Sequence, residues 1–262
     1  MCECQSTSGV SRREAIAGAL VVGSAIAIGA GIGTPARAVG PAVPAVEVLP
    51  GLAIYPRDAW GATLPPTGPI AVETPQFLLV HHTASSNSYS SAAGVIQATY
   101  AFHTSAAKGW SDVCYEFFIG RDGDVWEGRA GALTGPVVAD ATGGSQGFAQ
   151  LVCMLGDFTS VAPTPAALES LAKVLAWLSD RYHIDINPGA TTSFVSRGSQ
   201  RWAAGTTVTT STIAGHRDMS FTSCPGDALY PLLPEIRTRA IAQREVWRTV
   251  LRPARRLGVV AL

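Results

Sequence analysis

The run Gln76-Phe77-Leu78-Leu79-Val80-His81-His82-Thr83 constrains the fold more than any other stretch. Its apolar residues are continuous rather than alternating, the pattern of a strand buried on both faces. A strand of that kind needs a helical layer on each side, so the remaining chain has to supply helices as well as further strands. The run ends in two histidines, and the end of a strand in a buried sheet is where ligand-type groups commonly emerge. Successive strand residues point to opposite faces, so His81 and His82 cannot both address one centre without a bend.

The other elements follow in order. Residues 90–107 carry Ile96, Tyr100, His103 and Ala107 at helical spacing, which makes His103 a packed helix residue or a cleft wall. Val113 to Ile119 reads as a strand, Arg121-Asp122-Gly123-Asp124 as a hairpin turn, and Val125 to Arg129 as the returning strand. Gly143 to Gly147 is a loop, and Ala149 to Leu155 is another buried strand. Thr164 followed by Pro165 opens a helix whose stripe is Leu168, Leu171, Leu175 and Leu178. Residues 190–210 are rich in Ser, Thr and Gly and predict a long surface loop or hairpin, with a short strand from Thr210 to Ala214. A last helix is predicted over 227–240, interrupted by Pro231 and Pro234, and the arginines after Ile241 predict a frayed basic helix. The expected fold class is therefore α/β: a central mixed sheet flanked by helices in a single domain.

The first forty residues differ in kind. Arg12-Arg13 precedes an apolar, glycine-rich run, and Ala36-Arg37-Ala38 offers a small-x-small cleavage pattern. Residues 1–38 thus read as an export signal of twin-arginine type, with the general secretory route and an uncleaved membrane anchor as alternatives; the glycine content and the cleavage pattern favour removal. Residues 39–53, with Pro41, Pro44 and Pro50, read as a linker, 54–240 as the domain and 241–262 as an arginine-rich tail. The domain is expected outside the cytoplasm, extracellular or associated with the cell wall, without stable membrane insertion after cleavage, and as a monomer. Equal numbers of basic and acidic residues, 19 each, argue against nucleic acid as a partner. Removal of the signal leaves Cys114, Cys153 and Cys224, an odd number for an exported protein. One thiolate on a metal and one pair, disulfide or two buried thiols, would account for it.

Cys224 lies eight positions after His216 in Gly215-His216-Arg217-Asp218-Met219-Ser220-Phe221-Thr222-Ser223-Cys224-Pro225-Gly226. That pair alone is a weak metal signal. With His81 it becomes two histidines and one cysteine, a donor set that leaves the fourth zinc position open, as catalytic sites do. Zinc in such a site activates water and polarises a carbonyl, which suits amide hydrolysis. A proton acceptor and an oxyanion donor are needed too. Tyr115 or Thr222 can steady the oxyanion and Glu116 can act as the base, but neighbours on a strand face apart, so Tyr115 and Glu116 do not both belong to the site.

Several motifs together resemble a known family. They are Pro56-Arg57-Asp58-Ala59-Trp60-Gly61-Ala62, Val80-His81-His82-Thr83, Gly109-Trp110-Ser111-Asp112-Val113-Cys114-Tyr115, Gly120-Arg121-Asp122-Gly123 with Trp126-Glu127-Gly128-Arg129, Arg201-Trp202-Ala203-Ala204-Gly205-Thr206, and Gly215-His216-Arg217-Asp218 through Cys224-Pro225-Gly226. In this order, from Tyr55 to Arg239, the chain resembles the peptidoglycan recognition protein and type-2 N-acetylmuramoyl-L-alanine amidase family, above all its secreted actinobacterial members. The resemblance implies one zinc ion (Zn2+) per chain on His81, His216 and Cys224, with the first histidine of the pair as ligand. It implies Tyr115 as the active-site tyrosine and puts Thr222 where relatives carry Thr or Lys. Candidate substrate contacts are His82, His103, Glu116 and Trp110. The implied reaction cleaves the amide between the lactyl group of N-acetylmuramic acid and L-alanine, and the implied partners are peptidoglycan and its muropeptides. Cys114 stands where Gly is usual, Glu116 where Asn is usual, and residues 143–149 depart from the usual loop. Competing expectations are a non-catalytic peptidoglycan-binding protein, which typically lacks the cysteine ligand, and a zinc hydrolase of another exported amide.

Overall fold

The computed structural model describes residues 43–140 and 148–256. The export signal, the loop expected at 143–147 and residues 257–262 lie outside the described residues. Among those described, seven strands form one mixed sheet: β1 (Val46–Leu49), β2 (Leu52–Tyr55), β3 (Phe77–His82), β4 (Phe117–Ile119), β5 (Val125–Glu127), β6 (Ala149–Met154) and β9 (Ile213–Gly215), in the spatial order β1-β2-β5-β4-β6-β3-β9. A separate hairpin is made by β7 (Thr191–Val195) and β8 (Thr207–Ser211). The helices are α1 (Asp58–Gly61), α2 (Ala92–His103), α3 (Pro165–Arg181), α4 (His216–Met219) and α5 (Leu233–Arg256).

β3 occupies the place its composition demands. All six of its residues are buried, and it pairs in parallel with β6 on one side and β9 on the other. Its period of two divides the core. Phe77 and Leu79 pack into a cluster with Ile96 and Tyr100 of α2, whereas Leu78 and Val80 join a cluster built on α3 and α5. Each such side chain contributes on the order of 1.5–3 kcal/mol by leaving water. The same alternation separates the histidines: His81 follows the α2 face and His82 the α3 face.

Three expectations need correction. Residues 46–49, expected within a linker, form β1, because Pro50-Gly51 makes the turn of a β1–β2 hairpin, with Gly51 at φ +75 and its N–H held by Glu47. The final helix does not stop at residue 240 or fray. Pro231 lies in a short 3-10 turn (Tyr230–Leu232), Pro234 sits in the first turn of α5 where proline is tolerated, and α5 continues to Arg256. Of the expected tail, Trp247 is buried and Ile241 and Leu251 pack against the cluster built on α3, so this part of it belongs to the core. Finally, β4 begins only at Phe117, since Cys114 N–H is taken by His103 Nδ1 at 3.2 Å and Leu151 N–H on β6 is taken by the Glu116 carboxylate at 2.8 Å. This irregular approach turns Tyr115 onto the same face as Phe118; a regular strand would have placed it with Phe117, away from His81.

Candidate metal centre

His81 comes from the end of β3 and His216 from the residue that follows β9, so the parallel pairing of these strands brings them together. Their rings lie 4.4 Å apart between centroids. Cys224 closes the group from the loop after α4, with Sγ 3.7 Å from His81 Nδ1. One ligand atom from each of the three residues lies within 4.8 Å of the others, and all three residues are buried.

The loop that presents Cys224 is held at several points. Asp218 accepts the Gly215 N–H at 2.8 Å and the Tyr230 hydroxyl at 2.7 Å, which fixes the turn that starts with His216. Burial and the neighbouring Asp218 push the Tyr230 phenol up to about 12, so it remains a donor. The N–H of Arg217 donates to the Cys224 carbonyl at 2.9 Å. Gly226 takes φ +103, and a Cβ there would lie 2.2 Å from the Phe158 carbonyl oxygen, so this turn admits only glycine. Asp218 was not singled out from the sequence, although Gly215 followed three residues later by Asp218 has the spacing of a helix-start cap.

The electrostatics suit a cation. Burial holds the His81 imidazole well below its ordinary pKa, aided by His216, His82 and His103, so it stays neutral as metal ligation requires. Its Nε2 is a buried polar atom with no hydrogen-bond partner among the described residues. The Cys224 sulfur accepts the His82 backbone N–H at 3.4 Å, a contact that favours thiolate. Two imidazoles and a thiolate make a borderline-soft donor set, and they fit zinc.

The remaining candidates divide into two groups. Tyr115 is 3% exposed and its ring centroid is 5.1 Å from that of His81. Thr222 is half-buried on the Cys224 loop, where its Oγ1 accepts the Cys224 N–H at 3.2 Å. Trp110 is half-buried with its ring 4.8 Å from His103. His103 does not line an open cleft; it is 5% exposed, burial lowers its pKa to about 3, and it braces the segment that carries Tyr115. His82 is 1% exposed and its Nδ1 accepts the Phe158 N–H at 3.2 Å on the other face of the sheet, away from His81. The beginning of the Cys224 loop leaves Phe221 72% exposed beside Thr222, the most exposed large apolar side chain among the described residues.

Glu116, expected as a base or a peptide contact, is fully buried and serves as a backbone cap for Leu151. Its second oxygen, Oε1, has no partner among the described residues. Burial pushes its carboxyl up to about 8 against the opposing hydrogen bonds. Because the folded state holds this proton and the unfolded state releases it near 4.5, stability contributed by the neutral carboxyl is present below about 4.5 and is lost as pH rises toward 8. Glu116→Gln is expected to flatten that decline and to raise stability at pH 8 by about 2 kcal/mol or more. Chemical denaturation of both proteins from pH 5 to 9 checks it; parallel curves would exclude a buried proton. Cys114 and Cys153, for which a disulfide or two buried thiols stood open, are buried thiols with no disulfide between them.

A mixed sheet with helices on both faces, and a His-His-Cys group at the ends of neighbouring parallel strands, defines an α/β domain equipped for a metal. The family model for N-acetylmuramoyl-L-alanine amidase (Amidase_2) matches residues 71–227. The N-acetylmuramoyl-L-alanine amidase of Homo sapiens is 32% identical over 187 residues, covering 69% of this chain and 28% of that protein. Peptidoglycan recognition protein 1 of Mus musculus is 30% identical over 187 residues, covering 69% of this chain and 85% of its own length. The crystal structure of Drosophila peptidoglycan recognition protein SD superimposes with a TM-score of 0.53 at 22% identity, over 70% of this chain and 93% of that one. The chain belongs to the N-acetylmuramoyl-L-alanine amidase and peptidoglycan recognition protein family. It spans little more than a quarter of the mammalian amidase.

Proposed function

We propose that the protein is a zinc-dependent amidase of peptidoglycan that cleaves the bond between N-acetylmuramic acid and the L-alanine of the stem peptide. The observation that carries this reading is the buried convergence of His81, His216 and Cys224, three donors within 4.8 Å, beside Tyr115. The Amidase_2 match supports it from a separate direction.

His81, His216 and Cys224 would hold the ion. Zinc, when bound there, supplies a Lewis acid for the scissile carbonyl and lowers the pKa of water. Around it the protein's own groups have distinct tasks. Tyr115 donates its hydroxyl hydrogen bond to the carbonyl oxygen as negative charge develops there. Thr222, tied to the Cys224 N–H, lines the mouth and orients the amide. Burial of the three ligands excludes bulk water and strengthens every electrostatic contact inside.

Residues 1–38 are the proposed export signal, and the site of action is the cell wall. Among the described residues no helix is long and apolar enough to cross a membrane. Relatives named as recognition proteins raise the alternative of binding without cleavage; the presence of Cys224 favours catalysis. Zinc-loaded protein is expected to release stem peptides from muropeptides, with loss of release after chelation and recovery on zinc addition, followed by mass spectrometry. Intact muropeptides that are nevertheless retained by the protein would leave the binding reading in its place.

A further inference from the structure

Arg244 on α5 is 8% exposed, yet among the described residues it has no hydrogen bond or ion pair, and its Nε is a buried donor without an acceptor. Other buried arginines are provided for. Arg237, equally buried, reaches Asn187 O, Thr212 Oγ1, Ser211 Oγ and Ile213 O, and Arg57 is paired with Asp112. A guanidinium donor buried without an acceptor is costly, and arginine does not escape that cost by losing its proton, so the open donor points to an acceptor that arrives from outside.

Arg244 borders a cavity of about 410 Å³ between β1, the end of α3 and α5, on the face of the sheet opposite His81. Leu49, Trp247 and Leu251 supply apolar wall. The Trp247 indole N–H is committed to Pro50 O at 2.9 Å, so the residue offers the cavity hydrocarbon rather than a donor. The two acids at the mouth, Asp180 and Glu245, are both bridged by Arg248, at 3.2 and 3.0 Å. Arg248 thus spans both acids, while Arg244 has no hydrogen-bond acceptor among the described residues. With two guanidiniums and two carboxylates lining the cavity, the charges balance, which suits a monoanion better than a dianionic phosphate. We propose that this cavity binds a small amphiphilic carboxylate, with its oxyanion on Arg244 and its aliphatic body against Leu49, Trp247 and Leu251. The volume lies in the ordinary range for small-ligand sites, about 300–1,000 Å³.

Octanoate, octanol and inorganic phosphate, titrated into the full chain by calorimetry and followed by melting temperature, test it. Octanoate is expected to bind saturably and raise the melting temperature, while octanol and phosphate bind at least about tenfold more weakly. Arg244→Met should weaken octanoate at least about tenfold and, without ligand, melt at or above the wild type, since it removes an unpaired buried charge. Leu49→Trp, which fills the cavity and leaves Arg244 in place, should also abolish octanoate binding. Absence of saturable octanoate binding, equal binding of octanol or phosphate, or octanoate affinity unchanged in either variant would overturn the site. A lower melting temperature of ligand-free Arg244→Met would assign Arg244 a purely structural role and overturn it as well.

Discussion

Cys224→Ser is expected to abolish stoichiometric zinc binding and to lower muropeptide cleavage by about a thousandfold or more. Loss of a partner behind a metal ligand typically costs about 10–100-fold, and loss of the ligand itself costs more. The thiolate is the one anionic donor of the three; a serine hydroxyl in the same buried place keeps its proton and offers only a neutral oxygen. Shape changes little, and the His82 N–H that now meets Sγ at 3.4 Å finds an oxygen acceptor instead. The variant should therefore fold, which circular dichroism and zinc content measured side by side would establish. Retained muropeptide affinity without turnover is the expected pattern. Full activity in this variant would show that the ligand set is wrong.

Tyr115→Phe is expected to act on the chemical step alone. Removing one oxyanion donor lowers kcat by about 10²–10³-fold, or about 2.7–4 kcal/mol of transition-state stabilisation. The phenyl ring keeps the packing against His81 and the edge-on contact with Phe118 at 5.5 Å, so zinc content and KM should change little. Steady-state kinetics on a defined muropeptide separates the two parameters. Wild-type kcat would reduce Tyr115 to a packing residue beside the ligands.

How much of this was legible in the sequence depended on whether local pattern or tertiary contact decided the outcome. Phe77 to Val80 announced a strand buried on both faces through composition alone, although it lies one strand in from the edge of the sheet, and Asp122-Gly123 announced the hairpin through turn chemistry. The choice of His81 over His82 follows from the alternation of faces once Leu78 and Val80 are known to pack on α3. Tyr115 did not follow that rule. Its orientation depends on His103 and Glu116 taking two backbone N–H groups from distant segments, a contact no local period encodes. The same burial commits Glu116 to the Leu151 N–H. Residues 46–49 were read as linker because Pro44, Pro50 and Gly51 look like breakers, whereas Pro50-Gly51 is a turn. The arginines of α5 obscured an apolar stripe whose Ile236, Ala240 and Trp247 are all buried.

The edge position of β9 has a mechanical consequence. This strand has three residues, a single neighbour in the sheet, β3, and His216 directly at its end. A cation shared by His81 and His216 would act as a rivet between the buried strand β3 and the rim, tightening a seam of only three residue pairs. Capture of the ion then reports that segments more than a hundred residues apart have already docked. The unfolded chain cannot present the three donors together, so zinc retention would double as a proof of assembly, and a chain that lost its rim would lose its metal with it.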